Sequence, residues 1–199
     1  YMAGSGGKVD NIQIHGGTVT ATGGEDGAGI GSGEAGSSGD GGDASNILIT
    51  GGVITATGGE GGGAGIGGGY KGSAGKITIN GGTIWAESMS DDGAGIGVGD
   101  GGEGGEIIIN GGDITALSLD DDGAGIGGAD DGYVDSITIN GGNIVAGSED
   151  GAAIGGGNRG NCENVIINGG IITATCSRNG PIGIGVWGDS CSITINGGI

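Results

Sequence analysis

Residues 77–97 read ITINGGTIWAESMSDDGAGIG, and the three phases of this stretch recur along the whole chain. The first phase is an apolar-x-apolar triplet, Ile77 to Ile79, closed by Asn80 and the glycine pair Gly81 and Gly82. Period-two alternation marks a strand, because successive side chains of extended backbone point to opposite faces. The second phase alternates again from Thr83 to Glu87, with Ile84 and Ala86 on one face. The third phase, GAGIG from Gly93, puts Ala94 and Ile96 together on one side. Three short strands with glycine at the bends fit one triangular coil.

Glycine pairs begin at 16, 51, 81, 111, 141, 169 and 197, at spacings of 35, 30, 30, 30, 28 and 28 residues. The expected fold is therefore all-β, a right-handed parallel β-solenoid (β-helix) with a triangular coil. It has about six coils of 28–35 residues with three short strands each. The hand follows from the crossover rule for parallel strands. Each strand pairs with its counterpart one coil away, roughly 4.8 Å along the axis. The predicted interior is two Ile from the first strand, Ile or Val with Ala from the second, and Ala with Ile from the third. Asn80, Asn110, Asn140, Asn168 and Asn196 precede the first corner and are placed to form an amide ladder, with His15 and Thr50 as departures. Residues 1–199 form a single solenoid domain, expected to belong to a longer chain or assembly because neither end reads as a capping repeat.

Composition narrows the functional classes. Glycine supplies 61 of 199 residues, but a lone proline and the lack of a three-residue period exclude a collagen helix. A formal net charge of -19 opposes binding to nucleic acid or to anionic lipid and makes cations the natural partners. No apolar run is long enough for membrane insertion by a helix.

The best-organised polar feature is the acidic run before the third strand: Asp91 with Asp92, Asp121 with Asp122, and Glu149 with Asp150. Glu25 and Asp26 hold the same place in the first coil, and Gly61 and Gly62 interrupt the series in the second. Carboxylates stacked one coil apart repel one another, and a hard cation such as Ca²⁺ relieves that repulsion. The six acids are the candidate metal ligands; the same acids also suit a solvated edge with good Asp-Gly turn chemistry. A second acidic cluster, Asp100, Glu103, Glu106, Asp130, Asp131 and Asp135, follows the third strand, in a loop that also carries Tyr70, Tyr133 and Trp187. With Trp85, which points outward from the second strand, these aromatics are the candidate ligand-binding residues, because ring faces beside carboxylates suit sugars. Cys162 and Cys191 stand 29 residues apart where the repeat is 28, a spacing that predicts a disulfide between adjacent coils. Such a pair favours an extracellular or cell-surface setting.

The phrases ITINGG, ITATGG and GAGIGGG resemble the Gly-rich repeats of bacterial surface proteins in the pectate-lyase-like β-helix group. They are similar, more loosely, to the calcium- and carbohydrate-binding β-helix proteins of clostridia. The resemblance implies a non-catalytic module for adhesion or carbohydrate binding, stabilised by Ca²⁺, whose partner is a polysaccharide or cell-surface glycan. Three alternatives stand beside it. A structural stalk or filament would associate end to end. An ice-binding protein would use the outward pairs Thr20 and Thr22, Thr55 and Thr57, and Thr173 and Thr175, a pattern broken at Trp85, Leu117 and Val145. A polysaccharide lyase of this fold would need a Lys or Arg beside acidic ligands, whereas Lys8, Lys71, Lys76, Arg159 and Arg178 scatter through the chain.

Overall fold

Columns of identical residues run the length of the protein, seen here in a computed structural model that describes residues 6–34, 41–89, 92–118 and 122–199. Among the described residues, three parallel sheets form the walls. The first has seven strands, from Ile12–Ile14 to Ser192–Ile195. The second has six, from Thr18–Thr22 to Ile171–Cys176, and the third has six of two residues each, from Ile30–Gly31 to Ile182–Gly183. Every strand pairs with its equivalent in the next coil: Ile77 lies between Ile47 and Ile107, Ile84 between Ile54 and Ile114, and Ile96 between Ile66 and Ile126. The chain is a β-solenoid with three strands per coil, as the repeat predicts.

The interior has the expected composition. Ile77 and Ile79 from the first sheet, Ile84 and Ala86 from the second, and Ala94 and Ile96 from the third are all buried. Each buried Ile contributes about 1.5–3 kcal/mol by leaving water. Alanine in two of the walls keeps the core thin enough for short strands to enclose it. Backbone geometry accounts for much of the glycine. Gly82 turns the first corner at φ +110°, a conformation that disfavours side chains. At Gly97 the constraint is space, since a Cβ there would overlap the carbonyl oxygen of Gly127 in the next coil.

Polar groups stack as regularly as apolar ones. Asn110 Nδ2 donates to Asn80 Oδ1 at 2.7 Å, and Asn140, Asn168 and Asn196 extend the ladder at 2.7, 2.8 and 2.7 Å. The two departures pair with each other, His15 Nδ1 lying 2.9 Å from Thr50 Oγ1. A buried hydroxyl column at the end of the second sheet was not anticipated. Ser88 and Ser148 donate to the carbonyls of Gly63 and Gly123 at 3.1 and 2.7 Å, and Cys176 takes the equivalent place against Gly151. These bonds tie the second sheet to the chain entering the third strand of the preceding coil.

Two alanine variants separate tight glycines from loose ones. Gly97→Ala should lose more than about 2 kcal/mol of stability or fail to fold, because the next coil cannot move aside without breaking its own pairing. Gly16→Ala, where an added Cβ meets nothing within 4 Å, should melt within a few degrees of wild type by circular dichroism.

Candidate functional site

The third-strand isoleucines Ile30, Ile66, Ile96, Ile126 and Ile154 pair in register, so the residues flanking them stack as well. Four positions before them lie Asp26, Gly62, Asp92, Asp122 and Asp150; four positions after lie Glu34, Tyr70, Asp100, Asp130 and Asn158. Backbone hydrogen bonds join these two columns with a one-coil offset. Tyr70 N donates to Asp26 O at 2.8 Å, Asp100 N to Gly62 O at 2.9 Å, Asp130 N to Asp92 O at 2.9 Å, and Asn158 N to Asp122 O at 2.6 Å. The acidic corner before the strand and the acidic loop after it, separate in the sequence, thus form one site.

At its centre, carboxylate oxygens of Asp92, Asp122 and Asp130 all lie within 4.8 Å of one another. Asp92 belongs to the third coil and the other two to the fourth. Asp130 is only 4% exposed. Its Oδ2 pairs with Arg159 Nη2, whose guanidinium also reaches Asp131 Oδ1 through Nε at 3.3 Å. Asp130 Oδ1 is buried with no hydrogen-bond partner among the described residues, and so is Asn158 Oδ1. Asn158 Nδ2 donates to Asp122 Oδ1 at 2.8 Å. Asp100 completes the cluster: burial, and then the charges of Asp92, Asp130 and Asp131, push its carboxyl up to about 7, against the opposing pull of Arg159. One guanidinium is thus set among five carboxyl groups, and the arrangement favours a proton or a further cation.

The structure divides the six acids expected to bind metal. Asp92 and Asp122 come together, but the third member of their group is Asp130, from the other acidic cluster. Glu149 and Asp150 are not members of the trio; they meet Arg178 at 3.5 and 2.5 Å, and Asp150 Oδ1 is likewise buried with no hydrogen-bond partner among the described residues. Asp91 and Asp121 lie outside the described residues. Asp130 stands four residues after Ile126, mirroring Asp122 four before, but that spacing alone does not announce their meeting.

The aromatic candidates occupy separate places. Trp85 stands on the outer face of the second sheet, paired with Thr55 and Thr115, and is 44% exposed. Its indole Nε1 donates to Glu87 Oε2 at 2.6 Å, and Glu87 Oε1 accepts from Thr57 Oγ1 at 3.1 Å. These two bonds tie the indole to the sheet through Glu87. Beside it lies a hollow of about 180 Å³ bordered by Val53, Thr83, Asp113, Asn143 and Val145. Tyr70 lies in the acidic corner with Lys71 Nζ 5.0 Å from its ring centre. Tyr133 opens a first-sheet strand, Tyr133–Ile139, and its hydroxyl donates to Glu163 Oε2 at 3.2 Å. Trp187 is 80% exposed, at the left-handed turn position that Lys71, Asp131 and Arg159 occupy in earlier coils.

Cys162 is buried and Cys191 half-buried, and both are free thiols, as is Cys176. Cys162 and Cys191 nevertheless touch: a hydrogen bond to Cys191 and burial push the Cys162 thiol up, and the same bond holds Cys191 down.

A beta helix repeat model matches residues 12–34, 47–70, 77–99, 107–132 and 137–158, more than half of the chain. No curated protein and no solved structure matches it significantly.

Two outcomes follow from this chemistry. A carboxyl raised from 3.8 to about 7 favours the folded state less as pH climbs between those values, since the unfolded chain ionises first. In chelator, Asp100→Asn should therefore melt increasingly above wild type from pH 4 to pH 7 and show a constant difference below pH 3.8. Under a mild oxidant, peptide mapping should recover Cys162 linked to Cys191 and Cys176 as a single thiol. Closing that 29-residue loop should add about 3.6 kcal/mol.

Proposed function

The chain belongs to the beta helix repeat family, and from that premise we propose that it is a non-catalytic extracellular or cell-surface module that adheres by binding a neutral polysaccharide or cell-surface glycan. The observation that carries this reading is Trp85, a large aromatic side chain left 44% exposed on a sheet wall and anchored there through its indole nitrogen. Pyranose rings stack their C–H faces on such a surface while their hydroxyls seek polar partners at its rim. Thr83, Asp113 and Asn143 supply donors and acceptors along one column of that wall, and Val53 and Val145 add apolar area. In-register pairing spaces the column by about 4.8 Å per coil, so an extended sugar chain lying along the axis meets several coils in turn. The charge of -19 repels uronate-rich and sulfated polymers, which leaves neutral glycans as the matching class.

Support for the non-catalytic part comes from the basic residues. Arg159 does stand beside the acidic trio, but Asp130 and Asp131 hold its guanidinium in the charged form; Lys8, Lys76 and Arg178 pair with Asp43, Glu106 and Asp150, and Lys71 lies over Tyr70. A lyase base must instead stand ready to take a proton from substrate.

Affinity electrophoresis in gels cast with neutral polysaccharides, followed by a glycan array, tests the proposal. Wild type should be retarded by at least one neutral glycan, and Trp85→Ala should weaken that binding about tenfold or more, the loss of one stacking contact of about 1.4 kcal/mol. Free migration of wild type in every gel, together with long regular fibres in negative stain, would make the chain a structural scaffold.

A further inference from the structure

We infer that Asp92, Asp122 and Asp130 form a binding site for a hard divalent cation of the calcium class, which staples the third coil to the fourth. Two observations independent of acidity point to a ligand. Asp130, 4% exposed, keeps one carboxylate oxygen buried and without a partner among the described residues, although its other oxygen is taken by Arg159. The neighbouring Asn158 presents a second buried oxygen of the same kind while its amide nitrogen is bound to Asp122. An unsatisfied buried oxygen costs about 1–3 kcal/mol, more when charged, and for a carboxylate oxygen within an acidic trio a cation is the natural missing partner.

The donors select the metal. All are oxygens, with no thiolate or imidazole among the three, which argues against zinc and the softer transition metals. Two oxygens on one ion can be no farther apart than twice the metal–oxygen distance, about 4.6–5.2 Å for Ca²⁺ and about 4.2 Å for Mg²⁺. Oxygens within 4.8 Å of one another fall inside the calcium limit. Magnesium also holds its waters tightly and suits a flexible, asymmetric site less well. Asp92 comes from one coil and Asp122 with Asp130 from the next, so the ion replaces repulsion across the seam with a shared counter-charge. The inference is independent of the glycan reading, because its readout needs no sugar.

The test is calorimetric titration of the chelator-treated full chain with CaCl₂ and with MgCl₂ in 150 mM salt, paired with thermal melts. Wild type should bind calcium at one saturable site, prefer it to magnesium by at least about tenfold, and melt several degrees higher in millimolar calcium. Asp130→Asn, close to isosteric, should lose about tenfold or more in affinity, and Asp92→Asn should do the same from the other coil. Asp189→Asn, which removes an exposed carboxylate on the sixth coil, should keep wild-type affinity and the calcium shift. Absence of a saturable calcium heat and of a melting shift in wild type would overturn the inference without recourse to any variant. Equal loss in Asp189→Asn would overturn it as well, by showing a diffuse response of an acidic surface.

Discussion

In-register parallel pairing sets each residue directly over its counterpart one coil away, and the molecule answers to that constraint everywhere. Inside, it turns isoleucine and alanine into continuous columns that shed water together. At the first corner it lines up side-chain amides, so that Asn110, Asn140 and Asn168 each donate to one neighbour and accept from the other. Along the third sheet it brings backbone so close to backbone that Gly97 has no room for a methyl group beneath Gly127. A repeat unit of this kind cannot cover its own apolar faces, so each coil depends on the next.

The same constraint turns acidic residues into a liability. Charges of like sign fixed about 5 Å apart repel strongly where solvent is scarce. The chain meets the problem differently from coil to coil. Gly62 removes the charge in the second coil, Arg178 neutralises Glu149 and Asp150, and Arg159 partly neutralises Asp130 and Asp131. Compensation falls short in two places: Asp150 keeps Oδ1 buried without a partner beside Arg178, and between the third and fourth coils Asp100 holds a proton up to about pH 7 while Asp130 retains an unpartnered oxygen. Cation binding is the general solution to such a surplus, and this seam is where the geometry supports it.

Most of the fold was legible from residues 77–97 and their repeats, because strand alternation, corner glycines and inward Ile and Ala all have direct sequence signatures. The site was legible only in halves. Asp92 and Asp122 stand out as a periodic acidic corner, whereas Asp130 reads as part of a different loop. Their meeting depends on the amide of Asp130 bonding back one coil to the carbonyl of Asp92, a loop conformation that no local pattern announces. The same holds for Arg159 and Arg178, which look scattered along the chain but stack onto acids one coil below. Ser88 and Ser148 face inward because the second strand carries its inward alternation one step past Ala86 and Ala146.

The central claim is that strict stacking gathers carboxylates from two coils around one cation. Crystals grown with Ca²⁺ replaced by a lanthanide test it most directly, because the anomalous signal locates the ion without reference to the protein model. The account predicts a strong peak bounded by Asp92, Asp122 and Asp130 in an in-register solenoid. A peak only at Glu149 and Asp150, or only at scattered surface carboxylates, would contradict it.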